Sequence, residues 1–126
     1  MVPLSRVLVI DDQEEIRDIV AMALELTREW RVDTAHSGAA AIVAVREARP
    51  DVILLDFMMP GLDGPATLRR LRSSAATRDI PVLFLTARAS AIDRRRFTEL
   101  GARGVIAKPF NPLTLAQQIE AILNVN

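Results

Sequence analysis

The 126-residue sequence contains no cysteine, and that absence removes disulfide frameworks, thiol nucleophiles and zinc–thiolate sites at once. A reducing compartment fits this usage. Aromatic residues make up only 4% of the chain, so aliphatic side chains must fill the core. An excess of one charge is also missing. Sixteen acidic residues cancel sixteen basic ones, which leaves no electrostatic case for a nucleic-acid or membrane partner. No apolar run reaches the roughly 18 residues of a membrane span, and the N-terminal MVPLSR lacks the basic-then-apolar layout of a signal peptide. Composition therefore leads us to expect a cytoplasmic, soluble, single domain over residues 1–126. Lysine is nearly absent as well. Fifteen of the sixteen basic residues are arginine, and the one lysine, Lys108, ends a short apolar run just before Pro109. An arginine fork is flat and bulky, whereas an ammonium is a compact charge on a flexible stem. Some site in the fold needs that compact charge.

Against these absences, the chain carries short apolar runs that alternate with helical patterns. RVLVI (Arg6 to Ile10) is compact and β-branched, and Ile16, Ile19, Val20, Ala23 and Leu24 then fall on one helix face. Asp12 with Glu15 three residues on predicts a capping-box-like start for that helix. RVDTA (Arg31 to Ala35) is a weaker strand, followed by a small-residue helix face of Ala41, Ala44, Val45 and Ala48. DVILLD (Asp51 to Asp56) is apolar on both faces and therefore buried on both. The turn residues MPGLDGP precede a helix with Leu68 and Leu71, IPVLFLTA supplies a fourth strand and GVIA a fifth. A last helix follows Pro112 with Leu115, Ala116, Ile119, Ile122 and Leu123 on one face. The fourth helical stretch, SAIDRRRFTEL, has only Phe97 and Leu100, with Ala89, to hold it down, and is expected to be the least firmly packed. Five βα units with double-sided strands predict a parallel sheet covered by helices on both faces, in three layers.

In such a sheet, ligands bind beyond the carboxyl ends of the strands. Those ends carry Asp11 and Asp12, Asp56, Thr86, and Lys108. Two unit charges about 4 Å apart repel by roughly 4 kcal/mol at an effective dielectric of about 20. Three crowded carboxylates therefore call for a raised pKa or a cation among them. An all-oxygen set suits a hard divalent ion, Mg²⁺ foremost, with Mn²⁺ as the alternative. One carboxylate could then act as nucleophile, with the metal, Thr86 and Lys108 each taking an oxygen of a phosphoryl group.

The sequence resembles the receiver domains of two-component response regulators. The matching segments are VIDD (Val9 to Asp12), LLDFMMPGLDG (Leu54 to Gly64), FLTA (Phe84 to Ala87) and KPF (Lys108 to Phe110), in family order over nearly the whole chain. The resemblance implies a flavodoxin-like, doubly wound sheet of order 2-1-3-4-5 with five helices. It also implies phosphorylation of Asp56 by the phosphohistidine of a histidine kinase or a histidine phosphotransfer protein. Asp11, Asp12, Asp56 and the Met58 backbone carbonyl would ligate Mg²⁺. Thr86, Ala87 and Lys108 would contact the phosphate, and the bond to Pro109 would be cis. Such a domain catalyses its own phosphorylation and dephosphorylation without being a conventional turnover enzyme. The chain stops after the last helix, so a stand-alone regulator or phosphate shuttle with no output domain is expected, though a piece cut from a longer regulator would read identically. Its downstream partner would be a protein, met through the face of the fourth helix, fifth strand and fifth helix, with no direct nucleic-acid contact.

Other residues are read more plainly. His36 is expected in a surface loop and Trp30 packed at the end of the first helix, with Arg94, Arg95 and Arg96 on a solvated face. Arg69, Arg70 and Arg72 receive the same reading as that arginine run. Two departures from the family stand out. Val105 occupies the position where many members carry a switch aromatic, which points to movement of the fourth helix instead. Met58 and Arg88 take the two positions at the mouth of the site that tune phosphate lifetime in the family. A haloacid-dehalogenase-type hydrolase would need Asp-x-Asp, but Gln13 and Met58 stand where the second Asp belongs. A receiver-shaped module that is never phosphorylated is disfavoured by the intact acids, Thr86 and Lys108. A flavin carrier would need Ser, Thr or Gly where DDQEE lies.

Overall fold

The three strands with four apolar residues in five lie inside the sheet, flanked by the other two. In this computed structural model, which describes residues 4–123, β3 (Val52–Asp56) and β4 (Val82–Thr86) are buried at every position. β1 (Arg6–Ile10) pairs with β3 on one side and with β2 (Arg31–Ala35) on the other, while β5 (Gly104–Ala107) closes the opposite edge beside β4. All pairings are parallel, and the order is β2-β1-β3-β4-β5. The polar strand β2 occupies an edge, where only Ala35 is buried.

Alternation along the strands sends residues to two cores. Val7, Val9, Leu54 and Leu85 face α1 (Glu14–Arg28) and α5 (Leu115–Leu123). Leu8, Ile10, Leu55 and Phe84 face α2 (Gly38–Glu47), α3 (Gly64–Arg72) and α4 (Ala91–Glu99). The molecule is thus an α/β/α sandwich with the flavodoxin-like topology expected from the sequence. Trp30 is buried on the α1–α5 side and His36 is exposed. Among the described residues no helix is long and apolar enough to cross a membrane. The expectation of no leader at MVPLSR falls partly on residues outside those described.

Several local expectations are corrected. The N-cap of α1 is Gln13, not Asp12, and no side-chain cap bond is made. The cause is Asp11, whose Oδ1 accepts the Gln13 amide at 2.9 Å and holds the Asp11–Asp12 turn outside the helix. A capping box does occur, at Ser90 and Asp93 of α4. On α1, Val20, Ala23 and Leu24 are buried but Ile19 is 41% exposed, so the packed face is narrower than the apolar stripe. Ala48 is the C-cap of α2 and not part of its face. Arg69 and Arg70 are solvated, but Arg72 is not. Its guanidinium donates to the carbonyls of Ile80 at 2.9 Å and Gly101 at 3.1 Å, tying α3 to the segments that lead into β4 and β5. Burial lowers its pKa, and the nearby Asp79 works in the opposite direction. α4 is as sparsely anchored as its sequence predicts, with Phe97 its one buried residue and Arg94, Arg95 and Arg96 exposed.

Candidate metal centre

The ends of β3 and β4 and the loops after β1 and β5 lie along one edge of the sheet. Asp11 is completely buried and tied at every polar atom. Its amide donates to the Ala35 carbonyl at 3.1 Å, and its own carbonyl accepts Arg17 Nη1 at 2.8 Å. Its Oδ1 accepts the Gln13 amide, and its Oδ2 accepts Lys108 Nζ at 2.9 Å. Asp56, at the end of β3, is 6% exposed and accepts the same ammonium on Oδ1 at 3.2 Å. Asp12 is exposed beside them. Each of Asp11, Asp12 and Asp56 offers a carboxylate oxygen, and these atoms lie within 4.8 Å of one another.

The backbone makes this convergence possible. Lys108 follows β5, its amide donates to the Thr86 carbonyl at 2.9 Å, and the Lys108–Pro109 bond is cis. On the other side, the Gly64 amide donates to the Phe57 carbonyl at 3.1 Å, which brings the start of α3 against the loop after β3. A Cβ on Gly64 would lie 2.6 Å from the Asp56 carbonyl oxygen, so only glycine fits there without displacement.

Thr86 is 5% exposed, and its hydroxyl accepts the Arg88 amide at 3.0 Å. Ala87 and Arg88 are exposed, and the Met58 side chain, 70% exposed, stands at the rim. Val105 is buried in the core shared with α2, α3 and α4. Arg17 was not singled out from the sequence. Its signal is weak, a basic residue about one turn into the helix behind an acidic loop.

Charge explains the titration behaviour. Burial, then the Asp11 charge, pushes the Asp56 carboxyl up to about 6, with Lys108 pulling the other way. For Lys108, burial opposes the ammonium, but its hydrogen bond and charge interaction with Asp11, and then Asp56, outweigh it and raise its pKa. Three carboxylates against one ammonium leave an excess of negative charge among hard oxygen donors. That donor set fits a hard divalent cation.

The family model described as the response regulator receiver domain matches residues 7–120. The chain belongs to the response regulator receiver family. Receiver domains act in two-component signalling and are not conventional enzymes. The chain is 41% identical over 118 residues to the phosphate regulon transcriptional regulatory protein PhoB of Escherichia coli, a match that covers 94% of this chain and 51% of that protein. It is 38% identical to the transcriptional regulatory protein ResD of Bacillus subtilis, across 94% of this chain and 48% of that protein. This receiver thus spans about half the length of the curated relatives it matches. Among solved structures, the chemotaxis protein CheY4 of Vibrio cholerae superposes with a TM-score of 0.86 at 32% identity, covering 95% of this chain and 99% of that one. The receiver domain of a signal transduction histidine kinase from Syntrophus aciditrophicus gives 0.81 at 30% identity, covering 95% and 90%.

Proposed function

We propose that this receiver is a phosphorylation-controlled switch with Asp56 as its acceptor. The observation that carries the reading is the shared ammonium. Lys108 Nζ lies 2.9 Å from Asp11 and 3.2 Å from Asp56, within a three-carboxylate cluster at the strand ends. In the forward step an Asp56 carboxylate oxygen attacks the phosphorus of a phosphohistidine. A P–O bond forms, the P–N bond breaks, and the imidazole leaves with the electron pair and takes a proton. The donor is a histidine kinase or a histidine phosphotransfer protein.

Asp11, Asp12, Asp56 and the Met58 carbonyl are the residues to hold Mg²⁺, or Mn²⁺ in its place. When bound, the ion supplies positive charge that offsets the acids and the incoming phosphoryl oxygens. The chain's own residues do the rest. Lys108, already between Asp11 and Asp56, needs only a small shift to pair with a phosphoryl oxygen on Asp56. The Thr86 hydroxyl, with the Ala87 amide beside it, would reach the phosphate by giving up the Arg88 amide. Arg88 and Met58 flank the approach of an attacking water and so set how long the acyl phosphate survives. The changed surface, around α4, β5 and α5, is read by a downstream protein.

Intact-protein mass after incubation with acetyl phosphate tests this, with and without Mg²⁺, on wild type and Asp56→Asn. A Mg²⁺-dependent gain of one phosphoryl group, absent in the variant, is expected. No gain in any sample would leave a binding module that works unmodified.

A further inference from the structure

α4 is held to the sheet by one fully packed side chain, Phe97, with Ala89 and Leu100 partly buried beside it. The Phe97 ring sits in an aromatic triad. Its centroid lies 4.8 Å from that of Phe57 and 5.2 Å from that of Phe84, and Phe57 and Phe84 are 5.4 Å apart, edge to face. Phe57 directly follows Asp56, and Phe84 lies two residues before Thr86. The anchor of α4 therefore packs against rings one residue from Asp56 and two residues from Thr86, the two residues that would meet a phosphoryl group. Val105, opposite Phe84 in the β4–β5 register, packs in the same cluster without a ring of its own.

We propose that the Phe57–Phe97 ring contact is the link through which modification of Asp56 reseats α4. This rests on the phosphoacceptor reading above and specifies how that site is coupled to the surface. Phosphorylation replaces the carboxylate next to Phe57 with a bulkier phosphoryl group that bears nearly two negative charges. The Phe57 main chain is bonded to β4 through Leu85 at 3.1 Å and to α3 through Gly64 at 3.1 Å, so displacement of the Asp56–Phe57 peptide is passed to the ring. Phe84 is completely buried and has no room to yield, whereas Phe57 is only partly buried and can shift. Aromatic pairs at such separations attract each other beyond the area they bury. That attraction is a large share of the hold on a helix with one buried side chain. α4 is then the element with two seats, biased by the state of Asp56.

A purely structural reading, in which the rings only fill the core, predicts lower stability in ring variants but an unchanged response of α4. Hydrogen exchange over residues 91–99, read by mass spectrometry with and without acetyl phosphate and Mg²⁺, separates the two. Intact mass reports the phosphorylated fraction of each sample. In wild type, phosphorylation should change α4 exchange by about tenfold, within the usual range of coupling between sites. Phe57→Leu should gain the same mass while the α4 response falls below about twofold, and Phe57→Tyr, which keeps a ring, should restore it. An undiminished response in phosphorylated Phe57→Leu, or a lost one in phosphorylated Phe57→Tyr, overturns the link and leaves the acceptor assignment standing. A wild type that gains no mass overturns both.

Discussion

At Asp56, burial and the Asp11 charge push the carboxyl pKa up to about 6, against an ordinary value of 3.8. Between those values the folded protein binds more protons at this site than the unfolded chain does. Stability of the metal-free protein therefore falls as pH rises from about 4 to about 6, by up to about 3 kcal/mol from this group. Asp56→Asn removes the ionisation and leaves an oxygen to accept from Lys108. In EDTA its melting temperature should exceed that of wild type at pH 7.5, and the gap should close toward pH 4. An equal gap at both pH values would assign the effect to packing and not to charge. The carboxylates and the lysine were legible in the sequence because each ends or follows an apolar run. The direction of the Asp56 shift was not, since it depends on burial and on the nearness of Asp11, neither of which strand position states.

Among the elements, α3 and α4 hold the site in opposite ways. The N-terminus of α3 presses on the loop after β3 with no space to spare, as the 2.6 Å approach at Gly64 shows. Gly64→Ala should cost about 1–3 kcal/mol, the range of overpacking a filled site, measured by urea denaturation. A cost under about 0.5 kcal/mol would mean that the loop moves aside freely. α4 is the contrary case, with a capping box at its start and a single buried ring along its length. Its weak packing was readable from SAIDRRRFTEL, because helical periodicity is local and only Phe97 and Leu100 serve it. The inward turn of Arg72 was not readable, since its partners are carbonyls eight and 29 residues further along the chain.

For the whole molecule, the acid cluster predicts a native stability that rises with divalent ions. A cation bound by the folded state alone stabilises it by about 2.7 kcal/mol at a concentration 100 times its Kd. The melting temperature of wild type should therefore rise with added Mg²⁺ at pH 7.5 and return on chelation. Asp12→Asn, an exposed member of the cluster, should weaken that rise with little effect on the metal-free melting temperature. A rise of the same size in both proteins would remove Asp12 from the binding set. Net charge gave no hint of this dependence, because sixteen acids and sixteen bases sum to zero while the strand ends concentrate three carboxylates.

Double-sided apolar runs separated by helical patterns were enough to determine a parallel sheet between two helical layers, and so to say which residues end its strands. That information is local, carried by periods of two and 3.6 residues and by composition. Only the tertiary structure decided that Asp11 is bound at all its polar atoms, that Thr86 faces the Arg88 amide, and that three rings join Asp56's neighbour to α4. The reason is physical. Desolvation, ion pairing and ring contact depend on groups brought together by folding, and the Lys108–Asp11 bond closes across 97 residues of chain.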